Sequence, residues 1–164
     1  MPVNPYRLRI RDVMVEDVQY VSPSDTLYDV LDAMMENGFS TLPVVDTTQK
    51  CVGMIAAVDL LAPTHHLDDG AERMVEGEQD FREAAESVQR SALSSHRVAD
   101  FMSHQVVAVS PDLTLPQAAE TMLHHQVHHL VVVDAEERLL GILSTMDILE
   151  AFARGAVAWA NEED

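Results

Sequence analysis

The sequence predicts a mixed α/β (α+β) fold assembled from two β-α-β-β-α repeats, and three observations carry that prediction. First, residues recur at a constant spacing of 88 positions without a gap: Asp12-Val13-Met14 with Asp100-Phe101-Met102, Val21-Ser22-Pro23 with Val109-Ser110-Pro111, Val44-Val45-Asp46 with Val132-Val133-Asp134, and Asp59 with Asp147. Second, each copy carries one apolar stripe at helical spacing behind a capping signature. Third, each copy then shows two short β-branched runs around a polar turn. The copies span 12–61 and 100–149. A unit of about 50 residues buries too little surface to stand alone, so the two are expected to pack together.

Each element follows from local chemistry. Val18 to Val21, and Val106 to Val109, read as a leading strand that ends in a Ser-Pro turn. Thr26 with Asp29, and Thr114 with Gln117, mark a helix start, because the threonine oxygen accepts from a first-turn N–H that has no helical partner. Pro116 is tolerated there for the same reason. The stripe runs through Leu27, Val30, Leu31, Met34 and Met35 in one copy and Leu115, Ala118, Ala119, Met122 and Leu123 in the other. Gly38 suits the left-handed residue that closes the first helix, and Gln126 stands in its place in the second copy. The paired strands are expected over Leu42 to Val45 and Val52 to Val58, and over Leu130 to Val133 and Leu139 to Leu143.

Around these repeats lie an N-terminal segment (1–11), an insert (62–97) and a tail (151–164), with 12–61 and 98–150 as the repeat domains. In the insert, Met74, Phe81 and Val88 recur every seven residues, which predicts an amphipathic helix from about Glu72 to Ser91 with a strongly acidic outer face. Its apolar stripe is open to three uses: packing on the repeats, a dimer contact, or docking of a partner. The tail extends the last helix through Phe152 and on to Trp159.

Charge narrows the function. With 28 Asp and Glu against 10 Lys and Arg, the 164-residue chain carries a net charge of −18, which repels phosphate backbones and anionic lipid and argues against nucleic acid or a membrane as partner. Apolar residues at 47% are enough for a packed core. There is no signal-peptide core and no run long enough to span a bilayer, so the chain is expected in the cytoplasm. The one cysteine, Cys51, lies in an apolar run and reads as a buried structural thiol. No phosphate-binding loop, paired-histidine zinc motif or nucleophile elbow occurs, so an enzyme is not expected. His124 and His128 are spaced to share a metal on one helix, but Gln126 falls where that helix should end, and no metal site is expected.

The ordered series Asp-Val-Met, Val-Ser-Pro, a Thr-Leu helix, Leu-Pro-Val-Val-Asp (42–46) and Gly-Met-Ile-Ala-Ala-Val-Asp (53–59) resembles a CBS domain, and the second copy, with His128 to Asp134 and Gly141 to Asp147, resembles it more closely. The resemblance covers both repeats and neither the insert nor the tail. It implies a tandem pair, a Bateman module, packed in pseudo-twofold fashion, that binds an adenosine-containing ligand (AMP, ADP, ATP or S-adenosylmethionine) in the inter-repeat cleft, transmits occupancy to a regulated partner protein and forms a homodimer. It further implies that Ser144 and Asp147 contact phosphate and ribose, that His128 and His129 reach the phosphate, with Ser40 in the matching place of the first copy, and that Ile142 and Val131 line the adenine slot. Ala56 replaces the family's hydroxyl residue in the first copy, which leaves Asp59 a weaker site.

From the residues alone, Asp59 and Asp147 keep a second role open, that of capping the next helix. Likewise a structural dimerisation module with degenerate pockets stands as the alternative to a ligand sensor. The net charge disfavours unchelated ATP against a monophosphate, adenosine or cationic S-adenosylmethionine, because few basic residues wait near the expected site.

Overall fold

The structure, a computed structural model, describes residues 4–66 and 90–160, with the side chains of 62–66 and 156–160 left aside. In chain order its elements are α1 (Leu27–Asn37), β1 (Thr41–Val45), β2 (Cys51–Ala56), a 3-10 segment (Ala57–His66), β3 (Ala108–Val109), α2 (Leu115–His125), β4 (His129–Val133), β5 (Leu139–Ser144) and α3 (Thr145–Ala160). The expected insert helix lies outside the described residues up to position 89, and residues 90–95 are helical. Trp159 falls within α3.

The chain forms two compact units, and neither coincides with one repeat. One joins the second repeat to the N-terminal residues through Val18 and the turn Thr48–Cys51; the other joins the first repeat from Gln19 to the residues that lead into the second repeat, through His104. In the former, β3 pairs parallel with β4, which pairs antiparallel with β5. Its core contains Val109, Leu115, Met122, Leu130, Leu143 and Ile148, and Ile10 from the N-terminal segment is fully buried among them. That segment is bonded in place: Ile10 N–H donates to the Leu113 carbonyl (2.8 Å), Arg11 N–H to that of Pro111 (3.1 Å), and Leu115 N–H to that of Leu8 (3.0 Å). Val15 and Ile142 exchange N–H···O bonds of 3.0 Å in both directions.

The other unit repeats this construction 88 residues away. Val98 N–H donates to Asp25 (2.9 Å), Ala99 N–H to Pro23 (3.1 Å) and Leu27 N–H to the His96 carbonyl (3.1 Å), while Met54 and Ser103 bond both ways. Val98 is fully buried among Leu27, Val30, Leu42, Val44 and Ile55. Even the arginines match: Arg9 donates to the Asp112 carbonyl and Arg97 to that of Ser24, each at 2.6 Å. The leading segment of each repeat is therefore bonded to the other repeat.

Most local expectations hold. Thr26 Oγ1 accepts from Asp29 N–H (3.2 Å), and Asp29 Oδ2 accepts from Thr26 N–H (2.8 Å). The Thr26 hydroxyl, which donates to Asp29 Oδ2 (2.7 Å), and then the Thr26 N–H hold the Asp29 carboxyl below its ordinary range. Gln117 Oε1 accepts from Thr114 N–H (3.0 Å) in the second copy. Gly38 and Gln126 close their helices with φ of 70° and 55°, so His124 lies on α2 and His128 beyond it.

Five expectations are corrected. The leading strand Val18 to Val21 does not form; Val21 makes one parallel bridge to Val44, and its counterpart strand shrinks to Ala108–Val109. The difference between the copies is one missing donor: Val131 N–H donates to the Val107 carbonyl (3.0 Å), whereas Pro43 in the equivalent place has no N–H. The strand expected to reach Val58 stops at Ala56, because Asp59 Oδ2 takes the Ala56 N–H (2.8 Å) and turns the chain. Beyond Ala56 the first copy continues as a 3-10 segment, where the repeat pattern predicts an α-helix. Met35 and Leu123, read as part of the buried stripes, are exposed. Each stripe is one position narrower than its apolar pattern. Finally, Cys51 is half-buried at the start of β2.

Close approach of the exchanged segments explains the paired glycines. A Cβ on Gly141 would lie 2.8 Å from the Val15 carbonyl oxygen, and one on Gly53 would lie 2.9 Å from that of Ser103. Backbone cannot swing aside as a side chain can. Gly141→Ala is expected to destabilise the protein by about 1–3 kcal/mol in urea unfolding; an unchanged midpoint would show that the N-terminal segment does not pack there.

Candidate functional site

The site grows from the end of one strand. β5 stops at Ser144 because Asp147, three residues on, captures its N–H with Oδ2 (2.7 Å). The same oxygen accepts from Ser144 Oγ (2.6 Å), and Ser144 Oγ in turn accepts from Asp147 N–H (3.2 Å). This reciprocal arrangement caps α3, whose first-turn N–H groups would otherwise lack partners. The second carboxylate oxygen, Oδ1, accepts no hydrogen bond among the described residues.

β4 brings the imidazoles to the same place. His129 opens β4 directly opposite Ser144 in the antiparallel register. The His128 carbonyl accepts from both Thr145 N–H (3.0 Å) and Thr145 Oγ1 (3.1 Å), which ties the start of β4 to the start of α3. His129 is half-buried and His128 exposed. Burial, and then the neighbouring His128, push the His129 imidazole below its ordinary pKa, against the opposing pull of Asp147. Two positions further along, Val131 faces Ile142 across the pair. Of the sequence-predicted residues, His129, Val131, Ile142 and Ser144 therefore lie on one strand pair, with His128 directly before it and Asp147 in the first turn of α3 after it.

Asp59 and Ser40 occupy the matching place in the other unit. Asp59 Oδ2 accepts from Ala56 N–H (2.8 Å), and the Ser40 carbonyl accepts from Ala57 N–H (2.9 Å). With no hydroxyl at Ala56, Asp59 accepts one bond at that oxygen where Asp147 accepts two. The capping role left open for both carboxylates is thus observed at the strand end in each repeat.

Thr145 was not singled out in the sequence, although it anchors His128; its signal was its place directly after the Gly-x-x-Ser series. A cavity of about 740 Å³ also opens in the unit of the second repeat, lined by Lys50, Cys51, Ser110, Asp112, Val131 and Leu140 among others. Of the predicted residues only Val131 reaches it. Lys50, the one lysine of the chain, pairs there with Glu137 at 2.7 Å.

A duplicated unit that closes each strand pair with a carboxylate-capped turn defines a tandem-repeat module. The CBS domain family model matches residues 10–66 and 98–154, and the chain belongs to that family. The CBS-pair protein CBSX2 of Arabidopsis thaliana, solved in complex with AMP, superposes with a TM-score of 0.67 at 26% identity, covering 89% of this chain and 97% of that one. Inosine-5'-monophosphate dehydrogenase of Methanocaldococcus jannaschii is 32% identical over 139 residues, 85% of this chain and 22% of the enzyme. The 5'-AMP-activated protein kinase subunit gamma-3 of Sus scrofa is 28% identical over 135 residues, 82% of this chain and 23% of that subunit. The chain thus spans about a fifth of the length of these two relatives. Among the described residues, no helix is long and apolar enough to cross a membrane.

Because both carboxylates cap, removing either destabilises. Asp147→Ala is expected to cost about 1–2 kcal/mol and Asp59→Ala less, near the lower end of the usual range for lost caps. Denaturant unfolding of the two variants measures the difference, and a larger loss at Asp59 would contradict the geometry.

Proposed function

We propose that this chain is a regulatory CBS-pair module that binds an adenosine-containing ligand through the second repeat and passes occupancy to a partner protein. One observation carries the reading: Asp147 caps α3 with a single oxygen, and its other oxygen accepts no hydrogen bond among the described residues. That oxygen is suited to accept from a ribose hydroxyl. The α3 N-terminus beside it favours an anion, and His128 and His129 stand where a phosphate would be met. The half-buried Ile142 offers an apolar surface for a base, with the fully buried Val131 opposite it on β4. Two relatives point the same way, CBSX2 through its complex with AMP and the kinase subunit through the AMP in its name. Of the ligands the family suggests, a monophosphate, adenosine or S-adenosylmethionine fits a chain of net charge −18 better than unchelated ATP. Ser40 and Asp59 form the weaker counterpart, since Ala56 offers no hydroxyl. Transmission requires that ligand affinity differ between two arrangements of the module.

Thermal unfolding tests the reading, because a ligand that binds only the folded state raises the midpoint by mass action. AMP is expected to raise the midpoint of the wild type, with a much smaller effect on Asp147→Ala. If AMP, ADP, ATP and S-adenosylmethionine all leave it unmoved, the ligand reading fails and a structural module with degenerate pockets takes its place.

The second part of the reading is a homodimer. Exposed apolar residues recur at equivalent places in the two repeats: Met35 with Leu123, at 75% and 80% exposure, Val58 with Met146, and Leu61 with Leu149. Matching apolar patches on both halves of a duplicated chain suit a second copy, which presents the same two patches in return. Light scattering is expected to give a dimer for the wild type and a folded monomer for Met35→Glu with Leu123→Glu. A monomeric wild type would overturn it.

A further inference from the structure

We infer that the first-repeat turn Thr48–Cys51, hooked to the second repeat by the Lys50–Glu137 ion pair, carries occupancy of the second-repeat site to Ala56–Asp59 in the first repeat. The inference rests on the proposed ligand reading and adds the route by which the two carboxylate-capped strand ends answer each other.

Connectivity comes first. β5 starts at Leu139 and ends at Ser144, and β2 starts at Cys51 and ends at Ala56, so each strand runs from a hairpin turn to a capping carboxylate. The two turns meet. Leu139 N–H donates to the Gln49 carbonyl (2.9 Å), Lys50 faces Arg138 in an antiparallel bridge, and Lys50 Nζ donates to Glu137 Oε2 (2.7 Å). Thr48–Cys51 accordingly belongs to the compact unit of the second repeat, although Thr47 and Val52 on either side of it belong to the other. A shift of β5 is therefore passed through these bonds to the start of β2, and along β2 to Asp59.

Stiffness decides where the motion goes. The second-repeat turn is braced from within: Asp134 Oδ1 accepts from Glu136 N–H (2.9 Å) and Arg138 N–H (2.8 Å), and Asp134 Oδ2 from Arg138 Nε (2.8 Å). Between that turn and the ligand end, the β4–β5 register breaks once, between Val132 and Val133, where Leu140 is the extra residue. A bulge of this kind is where a strand pair bends. Leu140, Lys50 and Cys51 line the same cavity of about 740 Å³, which leaves the hooked turn room for a second position. Coupling requires a stiff element and two arrangements of what it acts on; the braced hairpin supplies the first and the cavity the space for the second.

The ion pair sets the balance between those arrangements. Glu137 is exposed and Lys50 half-buried, so their attraction adds little to the stability of the whole chain. Its effect falls on the turn, which loses a charge-assisted bond when the pair is removed. A ligand at Asp147 favours the arrangement in which the end of β5 is already held in place, and with it the hooked turn.

Cys51, the one cysteine of the chain, lies in this turn and reports on it. Alkylation of Cys51 by iodoacetamide in the full chain, timed with and without whichever of AMP and S-adenosylmethionine binds in isothermal titration, tests the route. Saturating ligand is expected to slow alkylation about fivefold in the wild type, the lower end of the usual range for coupled sites. Lys50→Arg, which keeps the charge, should keep that response. Lys50→Met and Glu137→Gln should still bind ligand, but their alkylation should respond far less, and by reciprocity the loss of affinity should match the loss of response. A ligand that binds the wild type yet leaves its alkylation rate unchanged, or raises it, overturns the route and leaves the ligand reading intact. A slowing that persists in full in Lys50→Met and Glu137→Gln also overturns it, since the ligand would then be covering Cys51 directly. Absence of binding by both ligands overturns the route and the ligand reading together.

Discussion

Two fully buried side chains, Ile10 and Val98, hold the architecture together, because each belongs by sequence to the approach to one repeat and by packing to the core of the other. Burying a side chain of that size contributes about 1.5–3 kcal/mol, a large share of the stability of a small domain. The main-chain bonds at Leu113 and Asp25, and the pairing of Val15 with Ile142 and Ser103 with Met54, fix these segments in the same register in both units. Neither repeat is complete without residues that lie far from it in sequence. That dependence also explains why glycine stands at 53 and 141, where the incoming backbone leaves no room for a Cβ.

The second constraint is the ending of each strand pair. A strand that runs straight into a helix leaves N–H groups without partners, and the residue three positions later supplies the acceptor. In the first repeat Asp59 does this through one main-chain bond. In the second, Asp147 does so with the help of the Ser144 hydroxyl, and Thr145 adds two bonds back to His128. The second copy is the better braced of the two. One oxygen of the Asp147 carboxylate serves the fold, and the proposed function gives the other to the ligand.

Much of this was legible in the sequence because it is written twice. The 88-residue spacing placed the helices, their caps at Thr26 and Thr114 and their ends at Gly38 and Gln126, and it brought Asp59 and Asp147 into equivalent places. The failures have separate physical causes. Pro43 removes a donor that a strand needs, an effect that acts on the neighbouring strand and so leaves no trace in the pattern of Val18 to Val21 itself. Asp59 ends β2 early, although Ala57 and Val58 continue an apolar run. Met35 and Leu123 fit a helical stripe yet lie at its edge, where periodicity cannot distinguish a core from an exposed patch. The exchange of leading segments was hidden for another reason: Arg9 with Arg97 continues the repeat before Asp12, but a repeat shows which residues are equivalent, not which copy they pack against.

The site was legible only as a set of residue types. The family resemblance placed Ser144, Asp147 and the histidines in one neighbourhood, while the gathering of both bonds on one Asp147 oxygen, and the half-burial of His129 beside an exposed His128, belong to the folded chain. The most direct measurement of the central claim is a titration of the isotopically labelled protein with AMP, followed by amide resonances. The account predicts saturable shifts concentrated at His128, His129 and Ser144 to Asp147, with smaller changes at Ala56 to Asp59. Shifts centred on Ala56 to Asp59, or none at any concentration, would contradict it.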